Sequence, residues 1–189
     1  MSSNRTIEIN LITSSCDIYI GQSINGKKQG VGTIYYESGT VHICNWVDDC
    51  AHGYGICKMV DGTEYVGHWR NNKFHGRHNK IYYKNGDYYK GEVREETITG
   101  KGKMIYADGK QYNGQWVDGL WDGHGDLIYS NKERYSGNFM NGKRHSYGEY
   151  TWVNGNNYSG EWRNDDIYDG TIYDVKLGIT KQSTWGILS

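Results

Sequence analysis

Five residues of zinc-ligand type, His42, Cys44, Cys50, His52 and Cys57, fall within one stretch of 16 residues. Thiolate and imidazole are the ligands a tetrahedral zinc site uses. No Cys-x-x-Cys knuckle is present, and two of the five are accounted for by a periodicity described below. Zinc is therefore not the favoured reading, and no cofactor is expected. His52, His75 and His145 could suggest acid–base chemistry, but they recur at one register and do not converge. No nucleophile elbow and no Ser, His and Asp set stands out. Residues 70–94 carry Arg70, Lys73, Arg77, Lys80, Lys84, Lys90 and Arg94 against only Asp87 and Glu92, a net charge of +5. That stretch could meet anionic head groups or an acidic protein. Otherwise it is a solvated strand edge.

The elements that must position these groups are set by a repeat. Tyr-x-Gly occurs at Tyr19, Tyr65, Tyr89, Tyr112, Tyr135 and Tyr158, and His42-Ile43-Cys44 stands in register between the first two. The spacings are 23, 23, 24, 23, 23 and 23 residues, which defines seven copies. Counting from the Tyr as offset 0, offset 4 is Trp46, Trp69, Val93, Trp116, Phe139 and Trp162 after Ser23 in copy one. Offsets 11 and 13 are mostly glycine, offset 15 is mostly aliphatic, and offset 17 is mostly aromatic. Cys57 falls in the offset-15 column and His52 in a recurring His column, which removes both from the metal set. Copy three carries one extra residue near Asn79. Copy seven loses one before Gly170, so that Ile172 takes the offset-15 place.

Two turns punctuate each copy. Pairs such as Ser38-Gly39, Asp61-Gly62, Asn85-Gly86, Asp108-Gly109 and Asn154-Gly155 precede the next Tyr, and Asn25-Gly26, Asn71-Asn72, Asp118-Gly119, Asn141-Gly142 and Asn164-Asp165 lie inside the copy. Such residues tolerate positive φ. Each copy thus reads strand, turn, strand, turn. Because side chains alternate faces along a strand, loop length decides which columns share a face. A three-residue loop at offsets 18–20 pairs offset 15 with the next Tyr, and puts Tyr, Trp, the aliphatics and the glycines on one face. The glycines at offsets 2, 11 and 13 are expected to leave room for rings lying flat on the sheet.

Tyr112-Asn-Gly-Gln-Trp116-Val-Asp-Gly119, followed by Gly123-x-Gly125 and Tyr129, resembles a MORN (membrane occupation and recognition nexus) repeat. So do Tyr65-Val-Gly-His-Trp69 and Tyr158-Ser-Gly-Glu-Trp162. The departures are His42 and Cys44 in copy two, Lys132 where a turn glycine is expected, and Ser146 at offset 11. The resemblance implies an all-β fold, an elongated, twisted, solenoid-like array of antiparallel β-hairpins that serves as a scaffold or interaction surface. The expected organisation is an N-terminal cap strand in residues 1–18, with residues 6–12 as its strand. Seven MORN-type repeats of about 23 residues follow over residues 19–173, then a C-terminal cap or tail over residues 174–189. The tail holds Trp185, Ile187 and Leu188, which could fold back in cis or dock on a second chain as a homodimer.

Composition narrows the function classes. Leu, Ile, Val and Phe make up only 33 of 189 residues, whereas Tyr contributes 18 and Trp 7. With 27 glycines and a net charge of −1, the chain suits a thin aromatic sheet better than a helical bundle or a nucleic-acid binder. No run of apolar residues approaches a membrane span, and the first thirteen residues lack the pattern of a signal peptide. A cytoplasmic protein is expected, with membrane or cytoskeletal association as a further option. The leading expectation is a non-enzymatic protein–protein interaction scaffold whose partner the sequence does not name. The alternative is a peripheral adaptor that binds anionic membrane lipid through the basic stretch of copies three and four. Tyr35, Tyr82, Ile105 and Ile128, at offset 16, point away from the glycine face and are the expected partner-binding residues.

Overall fold

The computed structural model describes residues 8–14 and 16–184. Residues 6 and 7 of the expected cap strand, and Trp185, Ile187 and Leu188 of the tail, lie outside the described residues. The chain divides into two units, Met1–Glu96 and Thr97–Ser189. Unit one contains β1 (Glu8–Ser14), β2 (Asp17–Ile24), β3 (Lys27–Tyr35), β4 (Val41–Val47), β5 (Cys50–Lys58), β6 (Glu64–Arg70), β7 (Lys73–Phe74), β8 (Gly76–Tyr82) and β9 (Tyr88–Arg94). Unit two contains β10 (Thr97–Ile105), β11 (Gln111–Val117), β12 (Leu120–Ile128), β13 (Arg134–Met140), β14 (Lys143–Thr151), β15 (Asn157–Arg163), β16 (Asp166–Asp174) and β17 (Ile179–Thr184). Within each unit successive strands pair antiparallel in chain order, except that β7 and β8 both pair with β6. The fold is all-β, built of hairpins, with no helix among the described residues.

The register follows from the turns. Tyr36 N–H donates to the Thr40 carbonyl at 2.9 Å, and Gly39 N–H to the Tyr36 carbonyl at 2.9 Å, closing a three-residue loop over residues 37–39. The same pair of bonds recurs at Met59, Tyr83, Tyr106, Tyr129 and Trp152. The loop's last residue is in the left-handed region, and where Gly is replaced Lys132 adopts φ 76°. Each offset-15 residue therefore faces the next copy's offset 0: Ile34 with His42, Cys57 with Tyr65, Met104 with Tyr112, Leu127 with Tyr135 and Tyr150 with Tyr158.

The second turn is a two-residue loop with both residues at positive φ, as at Asn25 (52°) and Gly26 (74°). It also occurs where the sequence is unhelpful: Glu95 and Glu96 adopt φ 48° and 70°.

Burial is one-sided. Tyr19, Tyr89, Tyr112, Tyr135 and Tyr158 are buried to within 1%, and they share their face with the buried Trp46, Trp116 and Trp162. This is the ring face, and the opposite side is the back face. Asn79, the extra residue of copy three, is also fully buried. Its side chain replaces a backbone pairing: Oδ1 accepts from His68 N–H at 2.9 Å and Nδ2 donates to the Gly76 carbonyl at 3.1 Å. β1 adds to β2, and β17 folds back onto β16, so the described ends of the two units are strands rather than loose tails.

Candidate functional site: a ring-lined cleft in unit one

The ring face repeats one construction. Each fully buried Tyr donates its hydroxyl to the carbonyl three residues on: Tyr19 to Gln22, Tyr89 to Glu92, Tyr112 to Gln115, Tyr135 to Asn138 and Tyr158 to Glu161, at 2.8–2.9 Å. At Tyr19, Tyr112 and Tyr135 the strand bulges immediately after the glycine, which frees this carbonyl from the ladder. The ring passes over a facing glycine pair. A Cβ on Gly21 would stand 2.6 Å from Tyr19 Oη, and one on Gly137 2.6 Å from Tyr135 Oη. Offsets 2 and 13 therefore leave room for the ring as expected. Offset 11 does not. A Cβ on Gly30 would meet Gln22 rather than a ring, and the position is at positive φ in Gly30, Gly53, Gly100, Gly123 and even Ser146 (56°). Its glycine serves the bulge.

Tryptophan ties neighbouring copies together. Trp46, Trp116 and Trp162 donate Nε1–H to the carbonyls of Gly32, Gly102 and Gly148 in the preceding copy, at 3.0–3.1 Å. Offset 9, a column that looks variable in sequence, fills the space over these rings. In copy one it is Lys28, whose Nζ lies 5.7 Å from the Tyr19 ring and 5.4 Å from the Trp46 ring. In copy six it is Arg144, whose guanidinium lies 5.9, 5.4 and 4.2 Å from the rings of Tyr135, Tyr150 and Trp162. Each cation pairs with an aspartate at offset 7 of the next copy, Lys28 with Asp49 at 3.5 Å and Arg144 with Asp165 at 3.1 Å.

Copy two departs from this construction, although its Trp46 keeps the indole bond to Gly32. Offset 0 is His42, offset 2 is Cys44, offset 9 is Ala51, and the partner at offset 7 of the next copy is Asn72, whose Oδ1 accepts from Ala51 N–H at 2.7 Å. His42 ends short of where a Tyr hydroxyl would sit, which leaves room for the Cys44 Cβ. Trp69 keeps the strand register of its sisters but not their indole hydrogen bond. It lies tilted against His42 at 4.2 Å and Phe74 at 5.1 Å, and its Nε1–H has no partner among the described residues. His42 Nε2 has none either. Both side chains are more than nine-tenths buried.

The result is a cleft of about 420 Å³ lined by Tyr36, His42, Cys57, Tyr65, Trp69 and Phe74, with Met59, Asn72 and Glu96 at its rim. Burial lowers the His42 pKa to about 4, so its imidazole is neutral at neutral pH. Burial raises Cys57 to about 11 and Cys44 to about 12, so both are thiols. The Cys57 thiol lies 3.8 Å from the Met59 thioether. The Tyr65 phenol is raised by burial first and then by nearby acidic groups, Glu96 among them.

The residues singled out in the sequence are distributed differently. Tyr35 and Tyr82 are exposed on the back face of unit one, and Ile105 and Ile128 are half-buried in unit two, flanking Gln111. Tyr82 packs on Tyr88 at 5.0 Å. Of the basic stretch, Arg70 and Lys73 both reach Glu95 at 3.0 Å, and Arg94 meets Glu92 at 3.3 Å. Lys80 and Lys90 face each other across β8 and β9, while Arg77 and Lys84 are exposed. Among the described residues no group of three or more His, Cys, Asp or Glu side chains could hold a metal ion. His42, Cys44 and Cys57 are buried, whereas Cys50 sits next to the turn and His52 is exposed.

The sequence matches the MORN repeat profile over residues 19–41, 45–64, 65–77, 89–111, 112–134, 135–157 and 158–166. A comparison with curated protein sequences gives no match. Among solved structures, the fold is similar to the TCP domain of Drosophila melanogaster SAS-4 (dCPAP), determined in complex with a proline-rich motif of Ana2 (dSTIL). That likeness has a TM-score of 0.52 at 11% identity and covers 82% of this chain and 84% of that one. The Danio rerio CPAP TCP10 domain, determined with a STIL peptide, gives a TM-score of 0.46 at 12% identity over 89% of this chain and 78% of that one. Five carbonyl-capped Tyr hydroxyls, three bridging Trp residues and the facing glycines recur through the matched residues, and the chain belongs to the MORN repeat family.

Proposed function

We propose that this protein is a non-enzymatic interaction scaffold that holds a segment of another protein on the ring face of unit one. The observation that carries this reading is the cleft at His42 and Trp69. Elsewhere along the array the five fully buried Tyr hydroxyls and the buried indole N–H groups of Trp46, Trp116 and Trp162 each find a carbonyl. Here two buried polar atoms are without partners in a concavity lined by rings, and an unmet buried donor or acceptor costs about 1–3 kcal/mol. A peptide supplies both carbonyls and N–H groups. The SAS-4 TCP domain, which has a similar fold, was determined in complex with a proline-rich motif, and this supports a peptide over a small metabolite. The test is site-specific photo-crosslinking. A benzophenone side chain at the exposed Met59 should capture one defined segment of one partner in native extract, and the same group at Lys103 should not. Equal capture at both positions would sink the reading.

A second reading, binding of anionic phospholipid, is favoured by the back face of unit one. Ile20, Thr33, Ile43, Ile56 and Val66 are successive cross-strand partners, and the row continues into Lys80 and Lys90. The corresponding positions of unit two are Lys103, Asn113, Asp126, Ser136, Glu149 and Ser159. An apolar row ending in lysines suits a lipid surface, where each cation contributes about 1 kcal/mol.

A further inference from the structure

We infer that the cleft takes an arginine side chain of the partner, which occupies the place that Lys28 and Arg144 occupy from within the chain. This rests on the scaffold reading above and names the chemistry of the same site.

Arg144 lies over three rings at offset 0, offset 15 and the next copy's offset 4. The equivalents of those residues in copy two are His42, Cys57 and Trp69, which all line the cleft. The equivalent of Arg144 itself is Ala51. The cleft therefore borders the equivalents of the three residues that Arg144 covers, with Ala51 at the position from which that cation comes and the Trp69 ring in the lining. Among the described residues no Lys or Arg lies over Trp69, as Lys28 and Arg144 lie over their rings.

Apolar side chains also fill offset 9, at Phe74, Ile98, Trp121 and Ile167, so a filler alone does not specify charge. Two further features do. His42 is neutral, and its Nε2 is unpartnered and buried. As an acceptor it suits a guanidinium N–H, which an aliphatic chain does not provide. The Glu96 carboxylate also stands at the rim, although the place that Asp49 and Asp165 hold beside the internal cations is taken here by Asn72. A guanidinium fits both better than an ammonium, since it stacks flat on an aromatic face while its edge donates. The Trp69 indole N–H is left for a carbonyl of the partner's own backbone.

The test uses the full chain and the peptide acetyl-Gly-Gly-Arg-Gly-Gly-amide, with citrulline and norleucine peptides as neutral and apolar counterparts. The readout is the Trp69 indole N–H resonance, assigned by loss in Trp69→Phe. The arginine peptide should shift this resonance saturably at millimolar concentration, and the citrulline and norleucine peptides should bind at least about tenfold more weakly. Ala51→Arg should fill the cleft in cis and abolish the response. Glu96→Gln, an exposed change that preserves the fold, should weaken it about threefold. A norleucine or citrulline peptide as effective as arginine overturns the assignment, as does an absent shift or an undiminished response in Glu96→Gln. Crosslinking through Met59 that persists undiminished in Ala51→Arg also overturns it, while leaving the scaffold reading intact.

Discussion

At the scale of single residues, the ring face shows how one substitution licenses another. Tyr at offset 0 requires glycine at offset 2, because its hydroxyl reaches the strand surface there. His42 stops short of that point, and Cys44 takes the space. His42→Tyr alone should therefore force the new ring against the Cys44 side chain and cost about 2 kcal/mol. His42→Tyr with Cys44→Gly should recover most of that loss. A double-mutant cycle in urea measures this coupling, and additive effects would show that the two sites are independent. The same histidine sets a pH dependence. Its folded pKa, about 4, lies below the ordinary 6.5 because burial penalises the charged ring. Between those values the unfolded chain binds the extra proton, so the contribution is intact above pH 6.5 and is lost as pH falls toward 4. The loss is at most about 3 kcal/mol. Urea midpoints across this window should fall for the wild type, and the His42-dependent part should vanish in His42→Phe.

At the scale of the hairpin, much was legible because two turns and alternating faces leave little freedom. Parity arguments alone select the three-residue loop that Tyr36 and Thr40 close, and the register of Ile34 with His42 follows. What escaped was whatever does not repeat. The offset-9 column reads Lys, Ala, Phe, Ile, Trp, Arg, Ile, which carries no period in residue type, yet it decides where the rings are covered and where the cleft opens. The charge window also ended one residue too soon. Glu95 lies just past Arg94, in a two-residue turn whose positive φ values favour Asn or Gly, and it binds Arg70 and Lys73. Those two cations hold its carboxyl below the usual range. Glu95→Asn should keep or improve the turn while releasing both cations. If the back face of unit one binds anionic lipid, this variant should float with phosphatidylserine vesicles more than the wild type, and neither should float with neutral vesicles. Equal flotation of both proteins with anionic vesicles would remove Arg70 and Lys73 from any lipid contact.

At the scale of the whole molecule, an array of hairpins has the liability of unpaired edge strands. The C-terminal segment meets it in cis. β17 pairs with β16 from Asp169–Thr184 through Asp174–Ile179, and its sequence, Ile-Thr-Lys-Gln-Ser-Thr, is largely polar. A strand of this kind satisfies the backbone groups of β16 while offering a charged, weakly β-adhesive outer edge. Stability in such arrays is close to a sum of neighbour terms. Deleting residues 175–189 should therefore leave the rest of unit two folded but expose the β16 edge, including Ile172, to other chains. The expected result is a truncated protein with unchanged β-sheet circular dichroism that self-associates in light scattering, beside a full-length protein that does not. A truncated chain that stays monomeric at the same concentration would show that β16 is protected by something other than β17.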